Sequence, residues 1–246
     1  MKTTDLLIAL VLDKSGSMWP SQSAVISAIN EFLDDQTRQT KLLESRTLVS
    51  MVQFNTLATV VYAPRNILEV PRLTAETYSP TGGTALYDGV AKAILDIDSL
   101  AERPHKVLVV IQTDGEENAS REWSEKTLMP LIKAKQEGGW GFLFMGADHA
   151  SWAQAAKMGI HAGSTITYTA TNDWHSRGYT GVAMAASASA TNFRVGTYAN
   201  TNLSTSFTHS GGPPSPNDNT VRPTGVTIAP TDPGSAPLID PVPSGS

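Results

Sequence analysis

The sequence predicts an α/β fold: a doubly wound, Rossmann-like and mostly parallel sheet with one antiparallel edge strand and helices on both faces. Short apolar runs rich in β-branched residues alternate with longer segments whose apolar residues recur at helical spacing. One connection, residues 55–57, is too short for a crossover helix, so the two runs that it joins are expected to form an antiparallel hairpin. The chain has 246 residues, 40% of them hydrophobic, which is enough for the core of such a domain.

Five short runs that are apolar and rich in β-branched or aromatic residues are predicted to be strands: Leu6–Leu12, Leu48–Phe54, Ala58–Tyr62, Lys106–Ile111 and Trp140–Met145. Apolar residues at helical spacing predict helices around residues 25–33 and 86–97. A third helix is predicted over residues 122–136, where Pro130 is expected to kink or divide it because proline lacks a backbone N–H.

Two further helices are predicted after the fifth strand. Asp148 can cap a short helix, and Gly159 suits its C-terminal end. Gly181–Ser189 lies in a stretch rich in Ala, Ser and Thr, and it can form a helix whose small side chains allow close packing.

A change in composition near residue 200 predicts two parts, a folded domain over residues 1–200 and a tail over residues 201–246. No Phe, Tyr or Trp occurs from Gly211 to Ser246, and most of the prolines lie beyond Ser210. Such a segment cannot bury enough apolar surface to offset the entropy lost on ordering. We therefore expect the tail to be extended or to be held by neighbouring subunits.

Composition and charge exclude several classes of function. The net charge of −5, without a basic run, argues against nucleic-acid binding. The absence of cysteine excludes disulfides, thiolate metal sites and cysteine nucleophiles. Leu6–Leu12 is too short to span a bilayer, and Asp13 follows it directly, so neither membrane insertion nor a signal peptide is expected. The predicted location is cytoplasmic, or a virion if the chain is encoded by a phage.

Polar residues from three distant segments are predicted to meet at one edge of the sheet. Asp13, Ser15 and Ser17 follow the first strand, Thr84 lies at the start of a helix, and Asp114 comes just after the fourth predicted strand. In open α/β sheets, ligands bind in the crevice beyond the carboxyl ends of the strands. These five oxygen-bearing side chains are therefore candidates for one binding site.

The pattern Asp-x-Ser-x-Ser, followed by the later Thr and Asp, resembles the metal-ion-dependent adhesion site of von Willebrand factor A domains. The resemblance implies that Ser15, Ser17 and Thr84 bind a divalent ion directly, while Asp13 and Asp114 act largely through water. Oxygen-only ligands suit Mg²⁺ or Mn²⁺, and Ca²⁺ is a further candidate. The implied function is protein binding, not catalysis, in which an Asp or Glu of a partner protein completes the metal shell.

The resemblance covers about residues 5–160 and leaves the neighbouring polar residues to be interpreted singly. Asp88, one helical turn after the predicted threonine ligand, can orient the hydroxyls, or it can be a solvated helical acid. Lys14 can screen the acids, and Trp19 can form an aromatic wall beside the site or pack against the domain. The two glutamates at 116–117 are expected to form a solvated acidic rim without a ligand role.

Other interpretations remain open from the sequence. The five polar groups could serve as ordinary helix caps and turns. The chain could be a structural component of a virion or another large assembly, anchored through the tail over residues 201–246. A metal-dependent hydrolase is disfavoured, because no base or nucleophile is predicted beside the ion.

Overall fold

The computed structural model describes residues 2, 4–146, 149–168, 174–196 and 226–228. Within these ranges seven strands form one sheet: β1 (Leu6–Asp13), β2 (Thr47–Phe54), β3 (Ala58–Asn66), β4 (Lys106–Thr113), β5 (Gly141–Gly146), β6 (Thr165–Tyr168) and β7 (Val226–Ile228). Their order across the sheet is β3-β2-β1-β4-β5-β6-β7. The α-helices are α1 (Gln22–Leu42), α2 (Leu86–Asp98), α3 (Glu125–Glu137), α4 (His149–Lys157) and α5 (Trp174–Val195).

The sheet is mixed, and the predicted antiparallel edge strand is confirmed. The pairs from β2 through β6 are parallel, whereas β3 runs antiparallel to β2 because the turn between them is too short for a crossover. A second antiparallel strand, β7, pairs with β6 at the opposite edge. The sequence patterns did not predict β6 or β7, since both are very short. The rest of the predicted tail lies outside the described residues.

Helices cover both faces of the sheet, as predicted, and this explains why every residue of β1 is buried. On one face Leu6, Ile8, Leu10 and Leu12 belong to an apolar cluster with α1 and α5. On the other face the alternate residues of β1 pack with α2 and α3. The central strands therefore form a rigid base for the loops at their carboxyl ends.

α3 is not divided at Pro130, which corrects that part of the prediction. A capping box between Ser124 and Thr127 defines its start, and Leu128 and Ile132 are buried against the sheet. The proline removes one backbone donor in the second turn, and the cap and the buried face preserve the helix as one element.

The C-terminal helices follow the predictions in part. The chain leaves α4 through Gly159, whose φ of +76° lies in the left-handed region that favours glycine. The predicted cap Asp148 lies outside the described residues. α5 is much longer than the predicted Gly181–Ser189, and Ala183 and Ala186 are buried in the α1 face of the core. Among the described residues, no helix combines the length and hydropathy needed to cross a membrane.

Candidate metal centre

Two of the predicted segments meet because β1 and β4 are parallel neighbours. Leu12 lies opposite Gln112 in the register, so the next residues, Asp13 and Thr113, stand side by side where the strands end. The Thr113 hydroxyl donates a hydrogen bond of 2.6 Å to the Asp13 carboxylate. The loops that continue from these residues carry Ser15, Ser17 and Asp114, so pairing of the strands alone brings them together.

The third segment, the loop before α2, is tied to the β1 loop by backbone hydrogen bonds. Gly16 N–H donates to Gly82 O at 3.0 Å, and Thr81 N–H donates to Lys14 O at 2.8 Å. Gly82 has a φ of +80°, and a Cβ there would lie 2.6 Å from Thr56 Oγ1, so this crowded turn requires glycine. The start of α2 is thereby held beside the end of β1.

The predicted ligands form a connected group of oxygen atoms. Ser15 Oγ lies 3.0 Å from Ser17 Oγ, and Ser17 Oγ donates to Asp114 Oδ1 at 2.8 Å. Thr84 faces the same space, because a Cβ added to Gly115 would lie 3.2 Å from Thr84 Oγ1 and 3.6 Å from Ser17 Oγ. Ser15 and Thr84 are buried, whereas Ser17 is exposed, so the group opens to solvent on one side.

Asp13 is fully buried beneath these hydroxyls. It accepts the Ser15 N–H at 2.7 Å as well as the Thr113 hydroxyl. Burial raises the pKa of Asp13 to about 6, the two hydrogen-bonding neighbours lower it in part, and the nearby Asp114 raises it further. The negative charge of Asp13 is therefore costly in the absence of a cation, and a cation bound nearby would stabilise it.

The donor chemistry of these residues fits a hard divalent cation. The group consists of hydroxyl and carboxylate oxygens, which suit Mg²⁺ and Mn²⁺ better than zinc. Gly115 leaves the space beside Thr84 and Ser17 free of a side chain. Among the described residues, neither this edge nor any other part holds a group of three or more His, Cys, Asp or Glu residues that could bind a metal ion, so the candidate site depends on its hydroxyl oxygens. The hydroxyl-rich edge of the sheet is thus the candidate site.

The neighbouring residues differ in their contacts. Trp19 is 61% exposed, which rules out core packing and leaves it as a candidate wall beside the site. Lys14 is half-buried and joins the strands through its backbone, its N–H donating to Phe54 O. Asp88 does not stand free as a solvated acid: it accepts backbone N–H groups at 121–123, including Trp123 N–H at 2.8 Å. Its carboxylate therefore orders the loop after β4, and an action of Asp88 on the hydroxyls stays a prediction.

Sequence reasoning missed two residues that hold Asp13 in place. Thr113 binds its carboxylate, and the Tyr78 hydroxyl donates to its backbone oxygen across 65 residues of sequence. Thr113 directly precedes Asp114, so a Thr-Asp pair at a strand end is a signal that could have indicated it. Nothing in the local sequence distinguishes Tyr78, because its role depends on where its loop crosses the end of β1.

Comparison with known proteins gives structural likeness alone. No protein-family model and no curated protein matches the chain. Among solved structures, the PilB minor pilin of Streptococcus sanguinis is similar at 14% identity and a TM-score of 0.54, over 74% of this chain and 61% of that one. A von Willebrand factor type A protein from Catenulispora acidiphila is similar at 16% identity and a TM-score of 0.52, over 75% of this chain and 43% of that one. Proximal thread matrix protein 1 of the mussel byssus is similar at 19% identity and a TM-score of 0.52, over 74% of this chain and 46% of that one.

These likenesses define the class of fold: the chain has the fold of von Willebrand factor type A domains. The chain spans about three fifths of the pilin and less than half of the other two proteins. At these identities the likeness concerns the fold, and the function has to be argued from the site.

Proposed function

We propose that the chain is a protein-binding module that depends on a divalent metal ion, Mg²⁺ or Mn²⁺, held at the carboxyl edge of its sheet. The observation that carries this proposal is the connected oxygen group in which Ser15, Ser17 and Asp114 are hydrogen-bonded and Thr84 faces the same space. The fold likeness to a von Willebrand factor type A protein and to a minor pilin is consistent with binding.

Each residue has a distinct role in the proposal. Ser15, Ser17 and Thr84 present neutral hydroxyl oxygens, which bind a cation while cancelling little of its charge. Asp13 and Asp114 supply the negative charge that attracts the cation, and both lie within hydrogen-bond reach of other groups of the site. A bound ion would supply a positive charge that attracts a carboxylate oxygen of the partner.

Binding, not catalysis, is the function proposed for this arrangement. The described hydrogen bonds join two hydroxyls to each other and one of them to a carboxylate, and the exposed Ser17 leaves this group of oxygen atoms accessible from solvent. Catalysis of hydrolysis would require a nucleophile activated by a positioned base. The partner is accordingly a protein that presents an Asp or Glu side chain, and the exposed Trp19, two residues after Ser17 in the chain, is a candidate aromatic contact for it.

The metal is tested by titrating Mn²⁺ and Mg²⁺ into the full chain in a calorimeter. Asp114→Ala removes a carboxylate that is expected to act through water, and it is expected to weaken binding about 10- to 100-fold. Asp96→Ala is the matched control, because it removes an equal charge from the far half of α2. Equal affinities for the parent chain and Asp114→Ala would refute the proposed site.

The partner chemistry is tested with a library of random peptides displayed on phage. Peptides are selected on the full chain in Mg²⁺ and released with EDTA. Enrichment of Asp or Glu is expected on the parent chain and not on Asp114→Ala. Peptides that survive EDTA and lack acids would contradict the carboxylate contact.

Anchoring of a larger assembly through the tail stays a prediction. Of residues 201–246 the structure describes 226–228, which pair with β6 of the same chain. The predicted contacts of the tail with neighbouring subunits lie outside the described residues. The cytoplasmic or virion location also stays a prediction.

A further inference from the structure

The β4 loop (residues 114–123) is bonded along its length to the start of α2. Asn118 and Thr84 pair twice: Thr84 N–H donates to Asn118 Oδ1 at 2.9 Å, and Asn118 N–H donates to Thr84 O at 3.0 Å. Further along, Asp88 on α2 accepts backbone N–H groups from the end of the loop. Two of the proposed ligands, Asp114 in the loop and Thr84 before the helix, thus belong to elements that are joined together.

Glu117 lies at the centre of this connection and bonds both elements at once. One carboxylate oxygen accepts the N–H groups of Ala119 and Ser120 in the loop, at 2.9 and 2.7 Å. The other accepts the N–H of Tyr87, in the first turn of α2, at 2.9 Å and the Ser120 hydroxyl at 2.7 Å. The side chain is half-buried, so the expectation of a solvated acidic rim is wrong for Glu117 and holds for the exposed Glu116.

The position of the carboxylate has a physical explanation. The first N–H groups of an α-helix have no partner within the helix, and the N-terminus carries partial positive charge. The residue before α2, Ala85, offers no side-chain cap. Glu117 supplies that cap from a distant part of the chain, and in doing so it fastens the β4 loop to α2.

We propose that Glu117 is a positioning residue for the candidate metal centre. It keeps Asp114 and Thr84 at a fixed distance from each other by accepting hydrogen bonds from both the loop and the helix next to them. This inference rests on the proposed function, since it assigns Glu117 a role in the affinity of that site. The role is indirect: the carboxylate of Glu117 bonds Tyr87 and its own loop, and the effect reaches the ion through the two ligands.

The hydrogen bonds of Glu117 to the loop and to α2 need two acceptor oxygens, and this requirement can be tested at constant side-chain size. Glutamine has one carbonyl oxygen and one NH₂ donor. In Glu117→Gln the NH₂ would face either the Tyr87 N–H or the two N–H groups of the loop, and the bonds on that side would be lost. The variant therefore weakens the connection between the loop and the helix without creating a cavity, while the bonds of Asn118 and Asp88 remain.

The experiment compares the affinity of the full chain for Mn²⁺, by calorimetry, among three variants and the parent. Glu117→Gln is expected to bind about 10- to 100-fold more weakly. Glu116→Gln removes the same charge from the adjacent exposed residue and is expected to stay within about threefold of the parent. Ile132→Val, at a buried position of α3, is expected to lower the melting temperature and to leave the affinity unchanged.

Each outcome decides a separate point. If the parent binds Mn²⁺ and Glu117→Gln binds equally well, the positioning role is refuted and the proposed function stands. If Ile132→Val weakens binding as much as Glu117→Gln, general destabilisation explains the loss and the positioning role is refuted. If the parent binds no Mn²⁺, the proposed function fails and this inference fails with it.

A milder variant covers the case in which Glu117→Gln does not fold. Ser120→Ala removes the hydroxyl that donates to the second oxygen of Glu117 at 2.7 Å and accepts the Asp88 N–H of α2 at 3.1 Å, and it leaves the other hydrogen bonds of Glu117 in place. It is expected to weaken Mn²⁺ binding about threefold to tenfold, because both lost bonds belong to the connection between the loop and α2. An affinity equal to that of the parent would refute the positioning role of Glu117.

Discussion

The buried carboxylate of Asp13 predicts that the metal-free protein loses stability as the pH rises. Burial raises the pKa of Asp13 from 3.8 to about 6 in the folded chain. Between these two values the folded state binds more protons than the unfolded state, so the free energy of unfolding falls with increasing pH. The loss is on the order of 3 kcal/mol, it begins above about pH 4, and it is complete above about pH 6.

Asp13→Asn isolates this contribution. The amide has nearly the same shape and no charge, so its oxygen can still accept the Ser15 N–H. Urea unfolding followed by tryptophan fluorescence, in EDTA between about pH 4.5 and about pH 7.5, gives the free energy of unfolding of both chains. We expect the parent chain to lose stability relative to Asp13→Asn across this range, because only the parent must ionise a buried acid.

In the proposed mechanism, adding Mg²⁺ offsets most of the stability that the parent chain loses relative to Asp13→Asn. The ion stabilises the ionised carboxylate, and at 100 times its dissociation constant a ligand adds about 2.7 kcal/mol to the stability. The parent chain should therefore gain stability above pH 6 on adding Mg²⁺, and Asp13→Asn should gain little. If the free energies of unfolding of the two chains vary with pH in parallel in EDTA, the argument that the buried carboxylate of Asp13 sets this pH dependence is refuted.

Two glycine substitutions give further predictions. Gly115→Ala would place a methyl group 3.2 Å from Thr84 Oγ1 and 3.6 Å from Ser17 Oγ, so Mn²⁺ affinity measured by calorimetry should fall about tenfold with a small change in melting temperature. Unchanged affinity would show that the ion does not use this space. Gly89→Ala would bring a Cβ within 2.8 Å of the buried Phe54 ring, and urea unfolding should show a loss of about 1–3 kcal/mol. A neutral result there would mean that α2 can shift away from β2 at no cost.

Much of the fold could be predicted from local patterns. The strands and helices of the first 146 residues follow from apolar runs, helical periodicity and the short turn at 55–57, because each of these is a property of neighbouring residues. The strand at 165–168 and the strand at 226–228 escaped prediction. Each has four residues or fewer, so neither carries a periodic pattern, and their pairing depends on contacts far along the chain.

The candidate site, like the fold, could be predicted from local patterns only in part. The order of Asp13, Ser15 and Ser17 after a buried strand was sufficient to predict a group of oxygen-bearing side chains, because the carboxyl ends of parallel strands share one edge of the sheet. The sequence could not assign Glu117, whose neighbours in the chain are polar and whose own position looked like a solvated surface.

What the sequence determined by itself was the set of oxygen-bearing residues and the elements that carry them. What only the tertiary structure decided was which side chains hold these residues in place. Thr113 reaches Asp13 through the register of β1 against β4, and Glu117 reaches Tyr87 through the return of the β4 loop to α2. Such contacts arise between segments separated by 30 to 100 residues, so they depend on how whole elements pack and leave no pattern in the local sequence.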